Sequence, residues 1–196
     1  MRKSKQQELK EYIEEMKTIR KIILDEEASF LQLERYCCEI SNNRKVYREK
    51  LIKNKTNGSA VIVLPITTDN DVILTVQPRP FTKTTVGVGL PAGYVEEDES
   101  YEDAAIRELE EETGYTSKRF IECCGYYQDD GCSEAFNKGY IALGCEKNGV
   151  QHLDKDEFIR YFKCHFEELL EMLNQGMILD GGSQLVIEKA KKYIKR

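Results

Sequence analysis

The chain reads as an α/β or α+β sandwich. Two observations carry this. Strand-like runs fill two separate regions: "SAVIVLPIT" and "DVILTVQ" before residue 80, "RFIECCGYYQ" and "AFNKGYIALGCEK" after 118. Helix-forming stretches follow each region, "YEDAAIRELEEET" after the first and the C-terminal segment after the second. The order strand-rich, helix, strand-rich, helix is that of a layered domain with one core.

Composition bounds the rest. The 196 residues fit one domain of ordinary size plus an appendage, and 40% apolar residues supply a core. A net charge of -6 argues against a nucleic-acid backbone as partner, because phosphate binding needs a basic field. Local basic sites for a small phosphorylated ligand stay open. The start, "MRKSKQQELKEY", lacks the apolar core of a secretory signal, and the longest apolar run, about "AVIVLPI", is too short to cross a bilayer. Seven cysteines, Cys37, Cys38, Cys123, Cys124, Cys132, Cys145 and Cys164, include two adjacent pairs and no CxxC. The odd count and the spacing point to reduced thiols in a cytoplasmic protein rather than a disulfide framework or zinc site.

Along the chain, residues 5 to about 27 are expected to form one helix. Leu9, Ile13, Met16, Ile19 and Ile23 recur every three or four residues as an apolar stripe. Residues 1–28 are therefore set apart as an N-terminal helical extension, and 29–196 as the main domain. "FLQLERYCCEI" and "KVYREKLIK" alternate partially, as strands do. The β-branched runs at 59–67 and 71–77 flank the turn signal "TDND" and read as a buried hairpin. "DEFIRYFKCHFEELLEMLNQG" and "GGSQLVIEKAKKYIKR" read as helices, with Gly176 stopping the first and Gly181–Gly182 a loop before the second.

The segment "GYVEEDESYEDAAIRELEEETGY" is crowded with carboxylates, and Arg107 is its one cation. Ser100 followed by Asp103 predicts a helix start, and Gly114 its stop. At 100° per residue, Glu102, Ala105, Ile106 and Leu109 share an arc, with Glu108, Glu111 and Glu112 side by side on a neighbouring one. Like charges one turn apart weaken a helix, and a hard divalent cation such as Mg²⁺ or Mn²⁺ removes that repulsion. A solvated acidic face is the competing reading of such a run. A calcium loop is disfavoured, since the alternating Asp/Asn/Gly pattern is missing.

Spacing decides between them. Gly93, five residues, Glu99, seven residues, then Arg107-Glu108-Leu109-x-Glu111-Glu112-x-Gly114 resembles the Nudix box. Tyr115 stands where the pattern ends in an aliphatic residue. The resemblance implies an α/β/α sandwich with a mixed β-sheet and metal-dependent hydrolysis of a nucleoside diphosphate linked to another group. It implies that Glu108 and Glu112, with Glu111 close by and the Ala92 carbonyl, ligate Mg²⁺ or Mn²⁺, and that Glu99 pairs with Arg107 to fix the loop to the helix. Glu111, Glu134, Arg107 and Glu99 are the candidate catalytic group.

Beyond the box, "VILTVQPRP" and "LPAGYVEEDES" resemble the branch of ADP-ribose pyrophosphatases and nucleotide-sugar hydrolases, as does "NQGMILDGGSQLVIEKA". This makes Gln77 and Arg79 the candidate substrate-binding residues, and Glu134, in "GCSEAF", the candidate acidic loop residue. The chain departs from the branch at Gly89, where Glu is usual, and at Asp129 and Asp130, where Pro is usual. Glu134 also lies one place closer to its glycine than is common. The branch further implies a homodimer and a small-molecule substrate. Two alternatives remain at this stage: a nucleoside-triphosphate pyrophosphohydrolase, against which the Gln-x-Arg segment and the terminal helix speak, and a non-catalytic ligand-sensing module, against which the complete box speaks. His152 and His165 have no partners at ligand spacing.

Overall fold

The computed structural model describes residues 5–24, 30–41, 43–53 and 56–194. In chain order the elements are α1 (Lys5–Met16), β1 (Leu31–Ile40), β2 (Arg44–Lys53), β3 (Ala60–Thr67), β4 (Asp71–Pro78), β5 (Val86–Gly89) and β6 (Ala92–Tyr94). They continue with α2 (Tyr101–Thr113), β7 (Tyr115–Thr116), β8 (Phe120–Tyr127), β9 (Phe136–Lys147), β10 (Arg160–His165), α3 (Phe166–Asn174) and α4 (Gly181–Ala190).

β3 organises the molecule because both its faces are buried. Val61 and Val63 join one apolar cluster, with Ala104, Ala105 and Leu109 of α2; Ile62, Leu64 and Ile66 join the other, with Leu9 of α1, Leu169 of α3 and Val186 of α4. A strand covered on both faces reads as a continuous apolar run, which is what "AVIVLPI" is. β4 and β9 alternate in the same way: Ile73, Tyr140 and Ala142 point towards α2, and Leu74, Val76 and Ile141 towards the other helices. The principal strand order is β10-β4-β3-β9-β7, with β5 on β4, β6 on β3 and β8 on β9. β3 and β9 run parallel while the other pairs are antiparallel, so the sheet is mixed and sandwiched between helices.

Four local expectations are corrected. α1 stops at Met16, and Ile19 and Ile23 are fully exposed. The β-branched run "TIRKII" has low helix propensity, and the chain there bonds to a distant loop instead: Thr18 N–H donates to Thr85 Oγ1, and Lys21 Nζ to the Pro80 carbonyl. Residues 25–27 of the expected helix lie outside the described residues. "RYFKCH" is the strand β10, paired to β4, with Phe162 and Cys164 buried at period two; the helix begins only at Phe166. Gly181 and Gly182 are the first turn of α4, whose N-cap Asp180 accepts from Ser183 N–H at 2.7 Å. On α2 the buried apolar residues are Ala104, Ala105 and Leu109, while Ile106 is 37% exposed and Glu102 is exposed.

β1 and β2 form a separate antiparallel hairpin, in which every residue of β1 is exposed. It touches the domain through Leu51 N–H to the Cys132 carbonyl at 2.7 Å and through Lys50 to Glu134 at 2.8 Å. All seven cysteines are free.

Candidate active site

The site is built where β6 delivers the chain to α2. β6 pairs with β3, Val61 opposite Gly93, which sets the acidic loop against the sheet edge. Ser100 accepts from Asp103 N–H at 3.1 Å and starts α2, and Gly114 ends it in the left-handed region at φ 68°. Both helix ends therefore stand as the sequence predicts.

Arg107 ties the parts together. Its Nε donates to Glu99 Oε1 at 2.8 Å, and Nη2 donates to Glu99 Oε2 and to the Tyr94 carbonyl, each at 2.9 Å. Nη1 donates to Glu108 at 2.7 Å and to Glu111 at 3.0 Å. Glu99 also accepts from Glu96 N–H, and with Arg107 this holds its carboxyl below the usual range. Glu108 and Glu112 are buried rather than solvated, at 9% and 3% exposure. Burial pushes Glu108 up to about 7 against the pull of Arg107. Glu112 is raised well above the ordinary carboxylate value, first by burial and then by the charge of Glu108. A Cβ on Gly93 would lie 1.9 Å from Glu108 Oε1, so any side chain here would displace the Glu108 carboxylate.

Among the described residues no three carboxylate, histidine or cysteine side chains already converge as a metal site. Arg107 bonds both Glu108 and Glu111, and Glu112 instead accepts from Ala92 N–H at 3.1 Å. The donor set nonetheless fits a hard divalent cation. Two buried carboxylates sit one turn apart, a more exposed third, Glu111, shares the Arg107 guanidinium with Glu108, and Gly93 leaves the room that a Cβ would fill.

Beside Ala92 and Gly93 opens a cavity of about 660 Å³, lined also by Gln77, Arg79, Tyr126 and Asp180. Strand β5, "VGVG", makes one wall. Val86 and Val88 are buried, and a side chain on either intervening glycine would collide with a neighbour. A Cβ on Gly87 would lie 2.8 Å from Arg79 Cγ, and one on Gly89 2.8 Å from Ser183 Oγ. The departure at Gly89 thus has a local cause: Ser183 of α4 occupies the space, its Oγ accepting from Leu90 N–H at 2.9 Å. Burial raises both Glu112 and Tyr94, and the charge of Arg79 reaches both and offsets part of that rise. Gln77, Arg79 and the first residues of the box therefore share one cleft.

Glu134 is engaged elsewhere, by Lys50 of β2, and its side chain is 64% exposed. Outside α2, Glu157 adds a smaller upward push to both Glu108 and Glu112, and sequence reasoning did not single it out. It lies in the segment between β9 and β10 with no motif around it, so only the tertiary fold reveals it. His165 pairs with Asp71 at 3.0 Å, and His152 meets α2 only through its backbone N–H.

The NUDIX domain pattern matches residues 56–178, which includes the box, the cleft strands and Glu157. The chain belongs to the NUDIX domain family. An ADP-ribose pyrophosphatase of Bacillus subtilis (strain 168) is 30% identical over 150 residues, 74% of this chain and 77% of that protein. A methanol dehydrogenase activator of Bacillus methanolicus is also 30% identical, over 66% of this chain and 70% of its own length. An uncharacterized Nudix hydrolase of Schizosaccharomyces pombe is 34% identical over 67% and 70%. A solved structure titled an ADP compounds hydrolase superposes with a TM-score of 0.72 at 18% identity, covering 91% of this chain and 94% of the other, and so shares the fold. The protein is a Nudix hydrolase of the ADP-ribose pyrophosphatase branch, and such hydrolases generally use divalent metal ions.

Arg107 bonds three carboxylates, Glu99, Glu108 and Glu111, so Arg107→Met should destabilise the metal-free protein by about 3 kcal/mol, the scale of breaking a partly buried ion network. Urea denaturation checks this, and a loss below about 0.5 kcal/mol, ordinary for a surface change, would contradict it.

Proposed function

We propose that this Nudix hydrolase cleaves the pyrophosphate bond of ADP-ribose or a related nucleotide sugar, with Mg²⁺ or Mn²⁺ as cofactor. The observation that carries this reading is the buried Glu108–Glu112 pair opening beside a cleft that holds Arg79 and Gln77. The ADP-ribose pyrophosphatases among the relatives support the choice of substrate class.

In this reading Glu108, Glu111, Glu112 and the Ala92 carbonyl hold the divalent ion. When bound, the ion neutralises phosphate oxygens and lowers the pKa of a water. Glu99 and Arg107 keep loop and helix in register. The Arg79 guanidinium holds two phosphate oxygens at once, and Gln77 donates beside it. Glu157 is assigned to take the proton of the attacking water, because its segment packs on the end of α2 through Gln151 and His152 and its charge is felt at both buried glutamates. Glu134, paired with Lys50, is left to anchor the hairpin.

The hairpin supports a homodimer. Two strands alone are marginally stable in water, and one face of this pair carries Leu31, Leu33, Cys37 and Tyr47, all exposed. A second copy of the chain covers that face. Light scattering should show wild type at twice the chain mass and the double variant Leu33→Glu/Tyr47→Glu at the chain mass; equal masses would remove the hairpin from the interface.

Assay of the purified protein against ADP-ribose, nucleotide sugars and nucleoside triphosphates, with and without Mg²⁺ or Mn²⁺, tests the reading directly. Turnover should require the metal and favour the first two classes. Glu112→Gln should abolish turnover in a folded protein, and Glu157→Gln should lower kcat by about a hundred-fold or more, within the usual range for a general base. Glu134→Gln should leave kcat near wild type, and the reverse ranking of the two would return the base to Glu134.

Arg79→Lys should lower kcat/KM by roughly 1–3 kcal/mol, because an ammonium cannot reproduce the two-pronged contact. The concentration of metal needed for half activity should not move. Wild-type kinetics in this variant would take the phosphate contact away from Arg79.

A further inference from the structure

One short segment takes the carbonyl groups that end the carboxylate helix. Asn148 and Gly149 N–H donate to the Gly114 carbonyl at 3.0 and 3.2 Å, and His152 N–H donates to that of Glu111 at 2.9 Å. Gln151 Nε2 donates to the Glu112 carbonyl at 2.6 Å and to that of Ile159 at 3.1 Å, so it bridges the helix to the start of β10. Lys147 Nζ donates to the Thr113 carbonyl at 2.7 Å. Helices ordinarily leave these groups to water or to a single cap.

Lys147 is itself held. Its ammonium lies 5.0 Å from the ring centroid of Tyr115 and 4.7 Å from that of Tyr161, and it donates to the Tyr161 hydroxyl at 3.0 Å. The two rings meet edge-on at 5.8 Å. A cation at this end of a helix complements the dipole, and two aromatic faces restrict where it can sit. Gly114 is needed for the approach, since a Cβ there would lie 2.8 Å from both Lys147 Nζ and the Gly149 carbonyl. Tyr115 is the position at which this chain departs from the aliphatic end of the box. The departure supplies one wall of the cage.

We propose that Lys147, seated between Tyr115 and Tyr161, and Gln151 are positioning residues that fix the axial and rotational setting of α2, and through it the places of Glu108, Glu111 and Glu112. Neither touches the substrate. Glu112 is then held twice, its carboxylate by Ala92 N–H and its carbonyl by Gln151. The proposal rests on the reading that these carboxylates hold a divalent cation.

The test uses the full chain with Lys147→Met, Lys147→Arg, Tyr115→Leu and Gln151→Ala, each measured in three ways. Hydrogen exchange in the metal-free protein should show the amides of residues 111–114 opening at least several-fold faster in Lys147→Met, with those of β3 unchanged. Mn²⁺ titration followed by electron paramagnetic resonance should show weaker binding. On the best substrate of the panel kcat should fall about ten- to a hundred-fold, the scale of a misplaced catalytic group, with KM little changed. Lys147→Arg should recover most of the loss, because a guanidinium stacks on the same rings and still donates. Tyr115→Leu, which restores the aliphatic residue, should weaken Mn²⁺ binding in the same direction, and combined with Lys147→Met should add little. Wild-type Mn²⁺ affinity and kcat in folded Lys147→Met, even with a lowered melting temperature, would overturn the proposal and leave a plain helix cap. Should Lys147→Met fail to fold, Gln151→Ala decides by the same measurements. If the wild-type protein turned over nothing on the panel, the proposed reaction would fall while exchange and Mn²⁺ binding still decided the role of Lys147.

Discussion

The structure turns on two carboxylates buried on one face of one helix with a single guanidinium to meet them. Removing an anion from water costs several kcal/mol unless a partner restores what solvent gave. Glu108 has Arg107, but Arg107 is shared with Glu99 and Glu111. Glu112 has one backbone N–H and the more distant field of Arg79. The raised affinity of both groups for a proton follows from that imbalance. The same imbalance favours any hard cation of higher charge, so the free energy invested in burying the pair is available for binding.

Such a helix must be held from outside, because its own charges oppose it. One face is held by packing: Ala104, Ala105 and Leu109 lie on Val61, Val63 and Ile73 of a sheet that is itself closed on its far side by α1, α3 and α4. The N-terminal end is held by the Ser100 cap and by Glu99, which Arg107 draws towards the helix. The C-terminal end is held by the segment from Lys147 to His152. Glu157 follows in the same segment, so the restraint on the helix and the charge this residue adds at Glu108 and Glu112 come from one stretch of chain.

What could be read in the residues was what local chemistry dictates. The limits of α2 were legible because Ser100 and Gly114 act on their own neighbours, and β3 because a strand buried on both faces leaves no polar alternation to confuse it. The extension of α1 to residue 27 was misread because its apolar spacing persists while the chain prefers contacts to Thr85 and Pro80. β10 reads as helix in the sequence because a six-residue strand running straight into α3 shows one continuous amphipathic pattern. Glu157, Lys147 and Gln151 carry no spacing signal at all. The roles proposed for them depend on β9 bringing the following segment back across the end of α2, a long-range event with no local signature. Gly89 was legible only as a departure; its cause, Ser183, lies on a helix near the C-terminus.

The cleft also has a polarity that bears on how a substrate lies in it on the proposed reading. Among its described lining residues Arg79 is the one cation, and its charge reaches Glu112. At another part of the wall the N-terminus of α4, a natural place for a phosphate, is already capped by the carboxylate of Asp180. A negative group there repels phosphate but accepts hydrogen bonds from hydroxyls. Tyr126, whose hydroxyl would lie 2.2 Å from a Cβ on Gly182, adds a donor and acceptor on the same side. On the proposed reading the diphosphate would lie at the Arg79 and carboxylate end, where a divalent ion would share its charge, and the sugar towards α4. On the same reading, a triphosphate would bring more negative charge to a cleft with one cation among its described lining residues.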